Sequence, residues 1–433
     1  MKEFLVGMAK SDITPKVGTL LFGYPSERVS QRVLDNLYLG AVAIKQEEET
    51  VLFVSADLCT ISVSVVKEAK DLLYKNFNLK KENIVISSTH THSGPITSTS
   101  AGWGTQDDKY IQNIFMPALM ETTEKALKSL KTAVMGVGIV ESYDTIINRR
   151  QIENGEAILG QNPDLPYDPK MTVISFKTPD NENIGSIIHF AAHPTACWNN
   201  LSITRDWPGI VVDKLEEITN APSVFVNGAI GNVGPKLPNG KTTQDEPAMI
   251  EIGKRIAEYA QEAYEKTTEY TVPEIKIYAD ELLLPCVKAP SLESVLKEIE
   301  AMGNPDDLIE VDITKYDRLQ KIKKMYESGI PFDEGVTLDH TVISFGDLAI
   351  VPLPFELFCE ISLGIQEKSP FSKTLVLGLT NGSRGYLPTE EEIPYGGYEV
   401  ASFRAASIPG FIDGLDKHLV KENVKFLNKL KNK

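Results

Sequence analysis

The residues best suited to metal chemistry are two histidines, His90 and His92, which stand two positions apart in the string 88–95. They follow the apolar run 84–86, so the pair stands where a buried strand is expected to end. Side chains at i and i+2 of an extended segment point to the same side, and neutral imidazoles are good ligands for Zn²⁺. A loop whose histidines only satisfy backbone groups is the alternative, but the His-x-His spacing before Gly-Pro favours metal binding.

A second pair, His189 and His193, lies beside another apolar run. Four residues of an extended strand span roughly 13 Å, so these two imidazoles need not share one ion. We expect His193, at the turn, to be the ligand and His189 to be a core histidine. Asp206 either orients a ligand imidazole or caps the helix that begins near Pro208, and the sequence leaves both roles open. Thiolate ligation by Cys197 is a minor alternative.

Two further segments combine a strand end with polar residues. The glycine-rich turn 227–236 lacks the spacing of a phosphate loop, and it predicts a tight turn that lines a pocket, with N–H groups near Gly231 able to face an oxyanion. Glu356 follows an apolar strand, where a carboxylate is either paired with a cation or bound to a metal. The block 381–399 downstream adds arginine, tyrosine and glutamate side chains.

Strands and helices alternate along most of the chain and are expected to position these motifs. Apolar runs at 39–44 and 51–55 predict a hairpin, and helical spacing predicts helices over 62–73, 110–130 and 247–267. Further strands are expected at 84–87, 133–139, 171–176, 184–190, 223–226, 342–345, 348–351 and 374–377. The pattern predicts an α/β fold, a mixed β-sheet core flanked by helices, with the site at the strand ends.

Residues 1–424 are expected to form one hydrolase domain that carries a helical hairpin at 290–328. The charged helices 291–302 and 312–326 favour a solvated surface excursion, and a lid over the site is the alternative. Residues 425–433 are expected to be a basic tail, the frayed end of a helix.

Composition excludes several functions. A net charge of −16 argues against a nucleic-acid partner or an anionic membrane surface, and no apolar run approaches the roughly 18 residues of an integral membrane segment. The start of the chain shows no signal peptide, and the four widely spaced cysteines form no CxxC pair. We therefore expect reduced thiols and a cytoplasmic location.

Taken together, the motifs resemble those of the neutral/alkaline non-lysosomal ceramidase family, in order and spacing, from residue 7 to about residue 419. The strings that carry the resemblance are 7–15, 23–24, 89–95, 148–149, 162–163, 192–195, 231–235, 354–356 and 381–399. The resemblance implies the catalytic-domain fold of that family and a zinc-dependent amidohydrolase that acts on a linear amide. It implies a Zn²⁺ site with these ligands: His90, His193, Glu356 and Tyr386.

The resemblance also places His92, Arg149 and Tyr398 near the metal and the reacting carbonyl. On this basis His92 is expected to carry a proton to the leaving amine. Arg149, Tyr398 or the backbone near Gly231 is expected to stabilise the developing oxyanion.

Departures from the family pattern bear on the substrate. Gly234 stands where the family has a serine, and Phe355 alters the turn before Glu356. We expect neither the C-terminal β-sandwich domain nor the secretion signal of the ceramidases. The expected substrate is a small-molecule or lipid-like N-acyl amide other than ceramide, or an ester. Alternatives are a metal-dependent phosphoesterase and a catalytically inactive binding protein of the same fold.

Overall fold

A computed structural model describes residues 3–25, 27–308 and 311–433, and Met1, Lys2, Ser26, Ile309 and Glu310 lie outside the described residues. The strands are β1 Phe4–Asp12, β2 Leu20–Leu21, β3 Arg28–Val29, β4 Arg32–Val33, β5 Tyr38–Gln46, β6 Glu49–Ala56, β7 Ile84–Ser88, β8 Lys131–Thr132, β9 Val134–Glu141, β10 Ile146–Glu153, β11 Glu156–Asn162, β12 Lys170–Lys177, β13 Asn183–Phe190, β14 Ser202–Ile203, β15 Ser223–Asn227, β16 Val233–Pro235, β17 Tyr270–Thr271, β18 Ile275–Pro285, β19 Gly335–Phe345, β20 Leu348–Pro352, β21 Glu356–Leu357, β22 Lys373–Leu377 and β23 Tyr386–Leu387. The α-helices are α1 Val63–Phe77, α2 Asp108–Tyr110, α3 Met116–Lys128, α4 Trp207–Thr219, α5 Glu246–Glu265, α6 Leu292–Ala301, α7 Val311–Ser328, α8 Cys359–Lys368, α9 Gly397–Ala405 and α10 Leu415–Lys431. A π-helical turn, Ile111–Phe115, joins α2 to α3.

Three larger sheets organise the fold. Their strand orders are β7-β6-β5-β1-β8, β15-β13-β12-β9-β17 and β18-β19-β20-β22. Each combines antiparallel pairs with one parallel pair, which is β6–β7, β13–β15 or β20–β22. The mixed sheets and their covering helices confirm the predicted α/β class, and β5 and β6 form the predicted hairpin.

The three sheets share one central core. In β5, Val42 and Ile44 point into this core, whereas Ala41 and Ala43 point to the helices on the other face. This alternation follows from the period of two in a strand. Other strands contribute the following buried side chains to the shared core: Phe53, Val85, Ile174, Phe176, Val224, Ile350 and Leu375. Each such side chain stabilises the fold by about 1.5–3 kcal/mol relative to exposure.

Helices cover the outer face of each sheet. Helices α1 and α3 pack on the first sheet, α4 and α5 on the second, and α8 and α10 on the third. The caps define their ends: Ser62 accepts a hydrogen bond from the Val65 N–H at the start of α1, and Asn78 ends it in the left-handed conformation. The layers place the carboxyl ends of the three parallel pairs toward one another.

A close approach between α5 and β9 depends on glycine. A Cβ atom on Gly138 would lie 1.8 Å from the carbonyl oxygen of Ala263 and 2.4 Å from Oγ1 of Thr267. We expect Gly138→Ala to destabilise the protein by about 1–3 kcal/mol because the helix must move outward, which a lower urea midpoint would reveal. Gly364→Ala is the control, since a Cβ there meets Val420 only at 3.5 Å inside a helix. Equal urea midpoints for the two variants would show that α5 moves outward without a loss in the free energy of unfolding.

The C-terminal residues are helical, as the sequence suggested, but they pack into the core rather than fray. Residues 425–431 belong to α10, and Phe426, Leu427 and Leu430 are buried in the core under the third sheet. The basic residues between them lie on the solvent side of the same helix, so apolar spacing outweighs the local charge.

The predicted helical hairpin is present as α6 and α7, apart from the two residues between them that are not described. Val295, Leu319 and Ile322 form a small buried cluster where the two helices pack together. In the described residues, no helix combines the length and the apolar composition needed to cross a membrane.

Candidate metal centre

Four buried side chains converge where the strands of the three sheets end. Oε2 of Glu356 lies 3.3 Å from Nε2 of His90 and 3.1 Å from Nε2 of His193. These three atoms lie within 4.8 Å of one another. The hydroxyl of Tyr386 lies 3.2 Å from Nε2 of His193. The structure thus brings together all four residues that the sequence suggested as ligands.

The spacing of the donors fits one shared ion such as zinc. Ligand nitrogens and oxygens stand about 2.0–2.2 Å from Zn²⁺, so neighbouring ligands of one ion are about 3–3.6 Å apart. The three separations given above, 3.1–3.3 Å, fall in that range. Two imidazoles, a carboxylate and a phenol oxygen form a donor set suited to zinc.

The backbone fixes which nitrogen each histidine directs to the centre. Nδ1 of His90 lies 2.7 Å from the carbonyl oxygen of Cys59, and Nδ1 of His193 lies 2.6 Å from that of Ile230. Each Nδ1–H therefore donates to a carbonyl, which leaves the Nε2 lone pair free. A hydrogen bond from the other ring nitrogen is typical of metal-binding histidines.

Glu356 and Tyr386 are neighbours across a short parallel pair. Strands β21 and β23 pair these two residues directly, and the Glu356 N–H donates to the carbonyl of Gly385. Register partners place their side chains on the same face of a sheet. The pairing therefore brings a carboxylate and a phenol, 30 positions apart in the chain, to one point.

His90 and His92 converge for a different reason from the one expected. Strand β7 ends at Ser88, and His90 has a φ of +69°, in the left-handed region. The rings still approach, with 3.2 Å between their Nε2 atoms. A turn rather than an extended segment brings them together, and a non-glycine residue in this conformation is typical of a functional site.

The charges of the clustered side chains shift one another's pKa values. Burial alone would raise the pKa of Glu356, but the His90 and His193 imidazoles hold that pKa well below its usual range. Burial would lower the pKa of His90, yet Cys59 and Glu356 raise it well above the ordinary value. Burial lowers the pKa of His193 to about 3, and burial with the neighbouring imidazoles lowers that of His92. A single positive charge in the cluster therefore balances the negative charge of the Glu356 carboxylate.

A buried ion-pair network stands behind Tyr386. Nη2 of Arg149 donates to the Tyr386 hydroxyl at 2.9 Å, and its Nε donates to Glu399 at 2.9 Å. Arg150 donates to the other oxygen of Glu399 and to Glu392. Adjacent strand residues normally point to opposite faces, but a register shift before Arg150 in the β10–β11 pairing interrupts that alternation.

The network changes the expected place of Arg149. This residue is not among the described residues that line the pocket next to the cluster, so it contacts Tyr386 from behind rather than a reacting carbonyl. Burial raises the pKa of Tyr386 well above its usual range, and the Arg149 guanidinium acts against that rise.

A pocket of about 260 Å³ opens onto the cluster and is lined by His92 and Tyr398 among others. Burial raises the pKa of Tyr398, so that its hydroxyl stays protonated and able to donate. Within the described chain this hydroxyl has no hydrogen-bond partner. Gly23 packs against His92, because a Cβ there would lie 2.5 Å from the imidazole. His92 and Tyr398 therefore lie next to the cluster, where they were expected.

A second group of donors shares His90 and contains a thiol. Sγ of Cys59 lies 3.7 Å from Nδ1 of His90, and His92 completes the group. That Nδ1 already donates to the Cys59 carbonyl, so it is not free to bind a metal together with the thiol. Cys197, the other thiol considered, is buried, and burial raises its pKa to about 12, which disfavours a thiolate.

The remaining open interpretations are settled by contacts. His189 is a core histidine whose Nε2 lies 3.3 Å from the Val376 carbonyl. Asp206 caps α4 and accepts from the N–H groups of Cys197 and Trp207. It makes no hydrogen bond to an imidazole of the described cluster.

The glycine-rich turn holds a metal-site residue in place and does not bind an oxyanion through the Gly231 N–H. The Gly231 N–H donates to the Leu357 carbonyl at 2.7 Å and is therefore unavailable to an oxyanion, contrary to expectation. The turn instead supplies the Ile230 carbonyl to His193. Gly234 lies on β16, and a Cβ there would come within 2.6 Å of Thr242.

The α6–α7 hairpin is more than a surface excursion. Thr314 of α7 lines the pocket, and its hydroxyl donates to the Ala101 carbonyl. Ile313 packs against Gly102 on the same loop. The observed position corrects the favoured expectation and makes α7 a wall of the site.

Volume alone would not identify this site. A larger cavity of about 650 Å³ lies between α1 and the β18–β19 pair, lined by Lys70 and Arg384 among others. Its lining in the described chain includes none of the four clustered donors, so the donor set rather than size identifies the centre.

Sequence reasoning missed three residues that shape the site: Glu399, Arg150 and Trp103. The adjacent arginines at 149 and 150 were the available signal, because buried guanidinium groups need carboxylate partners. Trp103 packs against Tyr398, with 5.8 Å between ring centres, and no spacing in the sequence pointed to it.

Comparisons with known proteins agree with this geometry. Residues 4–246 match the family described as neutral/alkaline non-lysosomal ceramidase, N-terminal. The chain is 30% identical over 220 residues to neutral ceramidase B of Dictyostelium discoideum, covering 45% of this chain and 30% of that protein. It is 27% identical over 252 residues to the neutral ceramidase of Pseudomonas aeruginosa, covering 54% of this chain and 37% of that protein. The matched region thus spans about a third of the length of these relatives.

Solved structures extend the match to the whole fold. The crystal structure of neutral ceramidase from Pseudomonas aeruginosa superposes with a TM-score of 0.75 at 20% identity, covering 99% of this chain and 75% of that chain. A ceramidase complexed with C2 gives a TM-score of 0.74 at 19% identity, covering 99% and 76%. At this identity the structural match establishes the fold, and the sequence match over more than half of the chain establishes the family. The chain belongs to the neutral/alkaline non-lysosomal ceramidase family.

Proposed function

We propose that the protein is a zinc-dependent hydrolase that cleaves an N-acyl amide bond. The observation that carries the proposal is the convergence of His90, His193, Glu356 and Tyr386, with donor separations of 3.1–3.3 Å. Family membership supports a hydrolase, and the donor set supports the metal.

These four side chains would hold the ion, and the His92 side of the pocket would remain open to substrate. When bound, Zn²⁺ supplies Lewis-acid chemistry, which polarises a carbonyl and lowers the pKa of water to about 7. Burial of the cluster excludes bulk water and strengthens every electrostatic interaction within it.

The chain's own residues supply proton transfer and orientation. The reaction consumes one water: the carbonyl carbon gains a C–O bond, the C–N bond breaks, and the nitrogen leaves with an added proton. His92, neutral because burial lowers its pKa, can take a proton at Nε2 and pass it to that nitrogen. Tyr398 can donate to the carbonyl oxygen as charge develops there. Arg149 positions the Tyr386 hydroxyl through a hydrogen bond.

The rival reactions differ in what they require. A two-metal phosphoesterase needs a second site about 3.5–4 Å away, and both donor groups found among the described residues use His90. An ester places a carbonyl in the same position as an amide, so ester cleavage is the nearer alternative. A binding protein would hold the ion without turnover.

Removal of the metal tests the proposal. We expect the purified protein to contain about one zinc per chain by elemental analysis and to cleave N-acyl amides. Treatment with a chelator should abolish cleavage, and one equivalent of Zn²⁺ should restore it, because the four donors bind a single ion. Full activity in metal-free protein would overturn the proposal, and zinc without turnover of amides or esters would support the binding protein.

A further inference from the structure

Serine and threonine hydroxyl groups form much of the wall of the pocket above the cluster. Six of the residues that form these walls come from four separate segments: Ser98, Thr99, Ser100, Thr314, Ser383 and Ser402. Glu356, already placed at the metal centre, is the one lining residue in the described chain with a charged Asp, Glu, Lys or Arg side chain. Such a wall offers both donors and acceptors and no net charge, so it suits an uncharged ligand that carries hydroxyl groups.

Two of these hydroxyl groups are free to bind a ligand. The hydroxyls of Ser383 and Ser402 have no hydrogen-bond partner within the described part of the chain, whereas those of Thr60 and Ser98 bond each other at 2.6 Å. The aromatic rings of Trp103 and Tyr398 add a flat apolar surface between the hydroxyl groups. Hydroxyl groups around an aromatic surface can bind a compact ligand that is a polar ring or a polar chain.

The pocket is small for a lipid. Its volume is about 260 Å³, below the range of about 300–1,000 Å³ typical of drug-sized ligands. Sites for long alkyl chains are lined by apolar side chains, because each buried methylene group contributes about 0.8 kcal/mol. Here serine and threonine make up much of the wall, and its apolar side chains are Phe22, Val63 and Trp103.

Helix α7 limits the pocket on one side. Thr314 holds this helix to the loop at Ala101, and Ile313 packs on Gly102. The buried cluster of Val295, Leu319 and Ile322 fixes α7 to α6. A long acyl chain would have to displace this packed hairpin or leave the pocket into water, and neither route adds favourable apolar contact.

We infer that the substrate is an uncharged N-acyl compound with a short acyl group and a hydroxyl-bearing amine part, the size of an N-acetylated monosaccharide. This inference rests on the proposed hydrolase function and names its substrate class. The hydroxyl walls bind the amine part, and the short acyl group occupies the space next to the metal centre.

An acyl-chain series tests the inference directly. N-acetyl, N-butyryl and N-hexanoyl derivatives of glucosamine would be compared at equal zinc loading. We expect kcat/KM to stay level or to fall from acetyl to hexanoyl. An apolar groove would instead raise kcat/KM about 10²-fold over the four added methylenes.

Two variants test the role of the walls. We expect Ser402→Ala and Ser383→Ala to raise KM for N-acetylglucosamine about 3- to 10-fold with little change in kcat, since each removes one hydrogen bond to the substrate. KM for an N-acetyl alkylamine without hydroxyls should stay unchanged. Ser328→Ala, at the exposed end of α7, is the matched control. Calorimetric binding of N-acetylglucosamine to zinc-loaded His92→Gln gives a readout without turnover, and Ser402→Ala should weaken this binding by the same factor.

The outcomes separate the two proposals. Cleavage that increases with acyl length, or equal effects of the variants on both substrates, would overturn the inference and leave the hydrolase function intact. No cleavage of any amide by the zinc-loaded protein would overturn the proposed function and this inference with it.

Discussion

Replacing His193 with alanine is expected to remove the bound metal and to lower kcat/KM about 10³-fold or more. Nε2 of this histidine lies 3.1 Å from Oε2 of Glu356 and 3.2 Å from the Tyr386 hydroxyl. Its loss therefore removes the donor that stands between two of the other proposed ligands. Electrostatic stabilisation by a metal contributes several kcal/mol to the transition state, and each 1.36 kcal/mol corresponds to a factor of ten in rate. Zinc content by elemental analysis and kcat/KM, measured on the same preparation, provide the test.

His189→Gln is the matched control for this variant. His189 is also buried and lies only four residues away, but it contacts the Val376 carbonyl rather than the cluster. We expect this control to retain about one zinc per chain even if its stability falls. A His193→Ala protein that keeps both zinc and turnover would contradict the assigned ligand set.

Replacing His92 with glutamine is expected to keep the zinc and to lower kcat about 10²- to 10⁴-fold, the usual contribution of a general acid or base. Nδ1 of His92 has no hydrogen-bond partner among the described residues, and the ring faces the pocket beside the four donors. Glutamine retains a polar group of similar reach but cannot carry a proton near neutral pH.

A pH profile distinguishes proton transfer from a structural role for His92. The kcat profile of His92→Gln should lose a limb that the unaltered protein shows, whereas a mere packing defect would lower the whole profile evenly. Loss of zinc from His92→Gln would instead make this residue a ligand and would shift the centre toward the group that contains Cys59.

The sequence was sufficient to predict most of the longer strands and helices, and to predict that the site lies at the ends of strands. Apolar runs and helical spacing depend on local burial, which is why β7, β13 and α5 match their expected positions. Local patterns already suggested His90 and His193 as ligands, whereas they left Glu356 open between a cation partner and a metal. Tyr386 came only from the resemblance to a family. Glu356 and Tyr386 meet because of the β21–β23 pairing, which no local pattern reveals.

Long-range contacts account for what the sequence did not predict. Arg149 and Glu399 are 250 positions apart, and their contact requires the irregular β10–β11 register. The left-handed backbone at His90 depends on tertiary packing rather than residue type. The charged surface of α7 suggested a solvated helix, while its contact with the pocket depends on a few residues near its start.

X-ray absorption at the zinc edge of the purified protein tests the central claim most directly. The account predicts one zinc per chain with only nitrogen and oxygen neighbours at about 2.0–2.2 Å, including two imidazoles. A sulfur neighbour at about 2.3 Å would place the metal at Cys59 instead. Either that result or an absence of bound zinc would contradict a centre formed by His90, His193, Glu356 and Tyr386.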